Sequence, residues 1–292
     1  MSALSWPYRE KPLQPYWGAP NSNFNFCEED YFVSAYIAEV VNTFTNIIYV
    51  YYALVGIKSS KYQKDAFLRS FPYLGIASVG ILSAWYHTTL KNYSQWADDL
   101  SMLVATSAVL HQVFTFDKST AYTVIFGLAL TTVMTLFSIW HCVVDETTCH
   151  SILFGVMILV ILFKTRAIIH ANVPDLAVRA QVQTMSTWST GSFLFGFFLW
   201  NIDMHCCGTL TSLKRSIGMP WSFILEFHGW WHIFTGIGAY TSMALTEHLT
   251  SDNAAKPLAK RYAWPVNLFV PDFAALKGKQ GAKSNGVNGK TQ

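Results

Sequence analysis

The chain has 292 residues, of which 52% are hydrophobic and 16% aromatic, while only 13% are charged. Its mean hydropathy of +0.27 and its long apolar runs exclude a soluble core and indicate a polytopic membrane protein. The formal net charge of +3 comes partly from a carboxyl-terminal tail rich in Gly, Lys and Asn, which gives no reason to expect a nucleic-acid partner.

Seven segments are long and apolar enough to cross about 30 Å of hydrocarbon. They cover residues 33–56, 71–90, 98–116, 120–141, 151–171, 186–204 and 221–246. The predicted fold is an all-α integral membrane protein, a bundle of seven transmembrane helices within residues 33–246. Residues 1–32 lack the basic-then-apolar order of a signal peptide and form an amino-terminal segment, and residues 247–292 form a largely disordered tail.

The Lys and Arg residues of the short loops predict the orientation of the bundle. Those that follow spans 1, 3, 5 and 7 are Lys58, Lys61, Lys64, Arg69, Lys118, Lys164, Arg166, Arg179, Lys256, Lys260 and Arg261. The loops of the opposite face carry only Lys91, Lys214 and Arg215. We therefore expect the amino terminus on the luminal or outer side and the carboxyl terminus in the cytosol.

The cysteines all fall in or beside segments assigned to the luminal face, where disulfides can form. They are Cys27, Cys142, Cys149, Cys206 and Cys207. A disulfide from Cys27 to Cys206 or Cys207 would tie the amino-terminal segment to the loop before span 7. The residues alone leave the pairing open.

The stretch "EFHGWWHIFTG", residues 226–236, places two histidines four residues apart near the start of span 7. His228 and His232 therefore share one helix face, about 6 Å apart along the axis, and can bind one metal ion. The alternative is that both lie at the membrane interface, beside Trp230 and Trp231, in an aromatic belt.

Other polar residues are expected at the same depth. "SAWYHTTL" places Ser83 and His87 near the end of span 2, and "QWADDLSM" places Asp98 at the start of span 3. Ionisable groups within a membrane face the bundle interior and need partners. Three imidazoles with one open position, completed by His228 and His232, are typical of catalytic zinc. Asp98 can then accept and return a proton of the activated water, and Ser83 can donate a hydrogen bond to an oxyanion.

The remaining histidines lack a partner at ligand spacing, so we expect them to be interfacial or structural. They are His111, His141, His150, His170, His205 and His248. In "WNID", at the end of span 6, Asn201 or Asp203 would either support the metal ligands or form a polar helix end.

The stretch "NFNFCEEDYFVSAYIAE", residues 23–39, is rich in oxygen ligands. Asn25, Glu28, Glu29 and Asp30 precede Glu39, which falls inside the predicted first span. Hard oxygen ligands clustered in this way suit calcium. The alternative is a solvated acidic run that caps the first helix, which leaves Glu39 unexplained.

These motifs resemble those of the alkaline ceramidases over nearly the whole seven-span chain. The resemblance rests on S-x-x-x-H at the end of span 2, Asp at the start of span 3 and H-x-x-W-H-x-x-x-G in span 7, with "YIAE", "WYHTTLK" and "WNID". The histidine, serine and aspartate pattern is shared with a broader superfamily that includes the adiponectin and progestin receptors. "CEE", "YIAE" and "WNID" favour the ceramidase branch.

The resemblance implies a zinc-dependent amidohydrolase of the endoplasmic reticulum or Golgi. It would cleave the N-acyl amide bond of ceramide, dihydroceramide or phytoceramide within the membrane, without an obligate protein partner. The implied zinc ligands are His87, His228 and His232, with Asp98 and Ser83 beside the water that zinc activates. The implied calcium ligands are Asn25, the Phe26 carbonyl, Glu28, Asp30 and Glu39, and the implied disulfide joins Cys27 to Cys207.

Two positions depart from the family pattern. Asn25 stands where an aspartate is usual, which removes one negative charge from the calcium site. Phe26 stands where a tryptophan is usual and is expected to contribute only its carbonyl.

Two other functions compete with hydrolysis. A seven-span receptor of the adiponectin or progestin receptor type would hold structural zinc, but that branch has the opposite orientation. A metal transporter would need polar residues through the cytosolic half, and spans 2, 3 and 7 have few there.

Overall fold

A computed structural model describes residues 5–61, 65–258 and 261–269. Within these ranges the regular structure is helical, as the all-α prediction required. The α-helices are α1 (Val40–Thr45), α2 (Ile47–Ser60), α3 (Ala66–Thr89), α4 (Asn92–Thr115), α5 (Thr120–Val144), α6 (Thr148–Asn172), α7 (Leu176–His205), α8 (Cys207–Ile217) and α9 (Phe227–Leu249). Two short 3₁₀ helices cover Trp221–Leu225 and Val266–Phe269.

Four helical stretches are long and apolar enough to cross a membrane. They are Val40–Ser60, Ala66–Thr89, Thr120–Val144 and Thr148–Asn172, with mean hydropathies between 1.3 and 2.3. The long helices α4, α7 and α9 do not reach this level of hydropathy, because they carry buried polar side chains such as Thr106, Ser189 and Thr241. The structure thus supports a membrane protein.

The first span begins later than predicted. Residues 33–39 are not helical, and α1 starts at Val40. The reason is that the backbone before α1 pairs with the end of α3: Ala38 N–H donates to Thr88 O at 3.1 Å, and Glu39 N–H donates to His87 O at 3.0 Å. A backbone used in this pairing cannot also continue a helix.

Small residues bring α3 close to its neighbours. A Cβ atom at Gly80 would lie 2.9 Å from the Asn46 carbonyl oxygen, at the junction of α1 and α2. A Cβ atom at Gly75 would lie 2.7 Å from Cα of Ala105 in α4. Small side chains allow such close approach between membrane helices. This close packing sets the position of the carboxyl-terminal part of α3 relative to α1 and α4.

Helix α5 lies on the outside of the bundle. His141 is its one buried residue, whereas Ile125, Leu128 and Leu136 are exposed. An apolar outer face of this kind suits contact with lipid tails.

The amino-terminal segment covers one end of the bundle. Trp6 and Met219 exchange two backbone hydrogen bonds of 2.8 Å, and Asn21 N–H donates to Leu90 O at 3.1 Å. These two contacts place the amino-terminal segment over the end of α3 and near the start of α9.

The chain folds back after α9. Leu258, Tyr262 and Val266 are buried in the main apolar core, and Ala263 N–H donates to the Tyr240 hydroxyl at 2.8 Å. The part of the predicted disordered tail from residue 270 onward lies outside the described residues.

Candidate metal centre

Three histidines meet at the end of the bundle that the amino-terminal segment covers. His87 lies in the last turn of α3, and His228 and His232 lie in the first two turns of α9. Each ring has one nitrogen atom that lies within 4.8 Å of a nitrogen atom in each of the other two rings. All three side chains are buried. Nε2 of His87 and Nε2 of His228 are 3.3 Å apart. Two ligands about 2.0–2.1 Å from one tetrahedral zinc ion are about 3.4 Å from each other, so the donor set fits zinc.

The outer ring nitrogens of two of these histidines are held by hydrogen bonds. His87 Nδ1 lies 2.5 Å from Glu39 Oε2, and His232 Nδ1 lies 2.9 Å from the Thr45 hydroxyl. Because the Thr45 hydroxyl donates to the Val41 carbonyl, it accepts from His232 Nδ1. Both contacts turn Nε2 toward the centre with its lone pair free, as metal ligation needs. The sequence did not indicate Thr45, because its partner is 187 positions away.

Phe26 contributes a side chain to this centre. Its ring stacks on His228, with ring centroids 3.5 Å apart, and lies 5.4 Å from the His87 ring. The expectation that Phe26 offers only its carbonyl was therefore incomplete. The ring therefore lies against one side of the histidine group.

Ser83 and Asp98 lie beside the histidines. Ser83 is one turn before His87 on α3 and is buried, and its hydroxyl lies close to the Asp98 carboxyl group of α4. Asp98 is close enough to Tyr49 and Tyr86 to interact with them electrostatically. The Tyr49 ring lies 6.2 Å from the ring of His232, and the Tyr86 ring 4.9 Å from that of His87.

The acidic residues of the amino-terminal segment form a second polar group. Glu28 accepts from Val41 N–H at 2.7 Å and from Asn42 N–H at 2.8 Å. It therefore caps α1, as the capping alternative expected, although it is buried rather than solvated. Glu29 pairs instead with Arg215 and lies apart from this group.

Two carboxylate oxygens in this group have no hydrogen-bond partner within the described part of the chain. They are Asp30 Oδ1 and Glu39 Oε1, both buried. The Asn25 amide donates to the other Asp30 oxygen at 3.1 Å. Burial raises the pKa of Asp30 to about 6 and, with the nearby charge of Glu226, raises that of Glu28. A bound cation would compensate these negative charges.

A disulfide joins Cys27 to Cys207, which is the pairing that the resemblance implied. Cys206 is exposed and has a free thiol. Asp203 adds a second connection, because its carboxylate accepts from Cys27 N–H at 2.9 Å and from His228 N–H at 3.2 Å. Of the two polar residues of "WNID", Asp203 is therefore the one that contacts the group of three histidines.

Lys214 was counted among the loop charges, but it is fully buried on α8. Its ammonium group donates to the Cys27 carbonyl at 2.6 Å and to Glu226 Oε2 at 2.8 Å. Glu226 directly precedes α9, so the ion pair ties the amino-terminal segment to the helix that carries His228. No short-range pattern distinguishes this lysine from the exposed Arg215 beside it.

Two other histidines contact the acid next to Asp98. His141 Nε2 lies 3.4 Å from Asp99 Oδ2, and His150 Nε2 lies 2.8 Å from the Asp99 carbonyl oxygen. Both are buried, and they connect α5 and α6 to α4. These contacts between helices agree with the expectation of structural histidines, and Asp99 is the partner that the sequence did not indicate.

An apolar cavity begins near His232, although none of the three histidines lines it, and extends toward the opposite end of the bundle. Tyr49, Trp231 and Thr235 line it near His232. Its walls continue along α3, α4, α6, α7 and α9 with Ile76, Met102, Val109, Phe154, Ile158, Leu162, Phe193, Ala239, Met243 and Leu245. The distance from Thr235 to Leu245 along α9 is about 15 Å, enough for a substantial length of lipid chain.

Comparison with known proteins gives consistent matches over most of the chain. A family profile described as Ceramidase matches residues 18–274. The alkaline ceramidase YPC1 of Saccharomyces cerevisiae is 33% identical over 92% of this chain and 89% of its own length. Alkaline ceramidase 3 of Mus musculus is 28% identical over 88% of this chain and 95% of its own length. The alkaline ceramidase of Arabidopsis thaliana is 25% identical over 78% of this chain and 84% of its own length.

Proposed function

The chain belongs to the alkaline ceramidase family, and from that premise we propose that it hydrolyses ceramides at the centre formed by His87, His228 and His232. The reaction cleaves the N-acyl amide bond and yields a sphingoid base and a free fatty acid. The observation that carries the site assignment is the 3.3 Å spacing of two buried imidazole nitrogens beside a third. Three neutral imidazoles with one open position suit a hydrolytic zinc ion.

Zinc held by the three imidazoles would supply a Lewis acid for the amide carbonyl and would lower the pKa of water to about 7. Glu39 and Thr45 hold the outer nitrogens of His87 and His232, which keeps both rings in the tautomer that ligation needs. The residues thereby orient the ligands before substrate binds.

In this proposal Asp98 transfers a proton from the attacking water to the leaving amine. As general base its carboxylate accepts a proton from the attacking water, and as general acid it returns that proton to the nitrogen of the departing sphingoid base. The Ser83 hydroxyl, which contacts Asp98, donates a hydrogen bond to the oxygen of the tetrahedral intermediate. A charge that develops in a buried site is stabilised more strongly than in water.

The apolar cavity accommodates the hydrocarbon of the substrate. It is lined near His232 by Tyr49, Trp231 and Thr235 and runs into the bundle, so we place the amide group at the histidines and a chain along the cavity. Each buried methylene contributes about 0.8 kcal/mol. Burial of the chain therefore supplies binding energy that orients the amide.

We further propose that calcium binds next to this centre. The residues that would hold it are Asn25, the Phe26 carbonyl, Glu28, Asp30 and Glu39. The unpartnered oxygens of Asp30 and Glu39 fit a cation that prefers oxygen ligands. Glu39 also contacts His87, so calcium would hold the carboxylate that orients a zinc ligand.

The proposed membrane arrangement has seven spans, with the metal centre toward the lumen and the carboxyl terminus in the cytosol. The apolar helices and the basic residues of the loops after spans 1, 3, 5 and 7 support it. The proposed location is the endoplasmic reticulum or the Golgi.

Glu39→Gln is expected to lower zinc affinity or turnover about 10- to 100-fold, the range for loss of a group that orients a metal ligand. Gln keeps the size of the side chain but loses the charge that holds His87 Nδ1. Zinc content by mass spectrometry of the purified protein and fatty-acid release across a calcium series would measure both effects. Glu29→Gln is the matched control, because Glu29 pairs with Arg215 away from the centre. Equal losses in the two variants would contradict the role of Glu39.

The experiment that tests the function uses purified wild-type protein and three lipids: ceramide, dihydroceramide and phytoceramide. Fatty-acid release is measured at mildly alkaline pH, with calcium present and with calcium chelated. We expect release from at least one lipid, with a higher rate in calcium. A zinc-loaded protein that releases no fatty acid from any of them would contradict hydrolysis and would favour a receptor with structural zinc.

A further inference from the structure

A polar cleft separates α6 from α7 at the end of the bundle away from the histidines. It is lined by Arg166, Ile169, His170, Gln183, Ser186 and Thr187. The apolar part of α6 ends at Phe163, and that of α7 begins near Trp188. The cleft therefore lies where the hydrocarbon of a membrane gives way to lipid headgroups.

The basic groups of this cleft have no acidic partner among the residues that the structure describes. Arg166 and His170 are both exposed and lie four residues apart on one face of α6. No ion pair among the described residues involves either of them. A guanidinium group binds phosphate through two parallel hydrogen bonds, so Arg166 suits an anionic headgroup.

Hydroxyl groups separate the basic cleft from the apolar cavity. Ser186 lines both of them. Thr165 lines the cavity next to Arg166, and it is buried with a hydroxyl that has no hydrogen-bond partner. A threonine within a helix ordinarily donates to the carbonyl of the preceding turn. Its free hydroxyl is therefore available to an acceptor on a ligand.

The order of groups is basic, then hydroxyl, then apolar, and it matches the order of groups in a glycerophospholipid. A glycerophospholipid has a phosphate, then ester carbonyls that accept hydrogen bonds, then acyl chains. A fatty acid lacks the esters, and free phosphate lacks the chain. The unpartnered hydroxyl of Thr165 thus favours the phospholipid.

We propose that the cleft between α6 and α7 binds an anionic glycerophospholipid of the surrounding membrane. The phosphate lies on Arg166, an ester carbonyl accepts from Thr165, and one acyl chain enters the apolar cavity past Ser186. Basic pockets between membrane helices on the cytosolic side are suited to such headgroups. The lipid would compete with ceramide for the cavity, a consequence that rests on the proposed function, whereas the binding itself does not.

Native mass spectrometry of the purified full chain in neutral detergent tests the binding. Phosphatidylserine is titrated against phosphatidylcholine with the same acyl chains, and lipid adducts are counted. We expect Arg166→Gln to raise the apparent Kd for phosphatidylserine about fivefold or more and Thr165→Val to raise it about threefold. Lys164→Gln is the matched control, because it removes the same charge two residues away, where the ammonium group lies over the Phe114 ring. Its Kd should equal that of the wild type.

Two further ligands distinguish a phospholipid from a free headgroup and from a fatty acid. Glycerophosphoserine has the headgroup without chains, and oleate has a chain and a carboxylate without esters. Both should displace phosphatidylserine only at concentrations at least about tenfold above that lipid. Displacement by oleate at the same concentration, or equal losses in Arg166→Gln and Lys164→Gln, would overturn the proposal.

A kinetic measurement tests the position of the acyl chain. Phosphatidylserine in mixed micelles should raise the KM for ceramide in the wild type, with kcat unchanged, and should do so less in Arg166→Gln. A KM that is independent of phosphatidylserine would overturn the placement of the chain in the cavity. Absence of ceramide turnover would count against the proposed function alone, because adduct formation is measured without activity.

Discussion

His232→Ala is expected to lose bound zinc and to reduce fatty-acid release from ceramide by more than about 1000-fold. The variant leaves two imidazoles, and a catalytic zinc ion in proteins ordinarily has three protein ligands. It also removes the Lewis acid and the activated water together. Zinc content of the purified protein and single-turnover fatty-acid release measure the two losses separately.

His248→Ala is the control for this variant. His248 is also buried and lies on the same helix, but it is outside the group of three histidines. We expect it to keep zinc, and thermal unfolding of both variants monitors the fold. Wild-type zinc content in His232→Ala would contradict the assignment of this ligand.

Asp98→Asn is expected to keep zinc but to lower kcat about 100- to 10,000-fold, the range for loss of a general acid–base group. Asparagine preserves the size of the side chain and can still contact Ser83, so the geometry around the histidines should persist. What disappears is the carboxylate that accepts a proton from water. The measurement is kcat for ceramide together with zinc content.

Asp99→Asn serves as the matched control, since it makes the same chemical change at the neighbouring position. Asp99 contacts His141 and His150 rather than the Ser83 hydroxyl. We expect its kcat to remain within about tenfold of the wild type. If Asp98→Asn turned over ceramide as fast as Asp99→Asn, the proton-transfer role of Asp98 would be wrong.

Several features of the site followed from short-range patterns. The four-residue spacing of His228 and His232 places both on one face of any helix, whatever surrounds that helix. The same argument applies to Ser83 and His87 on α3. Because successive spans alternate in direction, both pairs were predicted at one end of the bundle. The structure places them there.

Other features followed only from contacts between distant segments. Glu39 lies against His87, 48 positions away, and Thr45 lies against His232, 187 positions away. Phe26 stacks on His228 because the amino-terminal segment folds over the end of the bundle. The first helix begins at Val40 because Ala38 and Glu39 pair with α3, a contact that hydropathy does not encode.

The sequence by itself determined the helical class, the apolar stretches, the histidine pairs and the resemblance to ceramidases, because apolar length and helical spacing are local properties of the chain. The local residues left the partner of Cys27 open, and the resemblance implied the Cys207 that the structure shows. Tertiary structure alone decided that Lys214 is buried against Glu226 and that Asp203 accepts from His228 N–H. Neighbouring residues such as Cys206 and Cys207, or Lys214 and Arg215, have the same local chemistry. Only the direction in which packing turns each side chain distinguishes them.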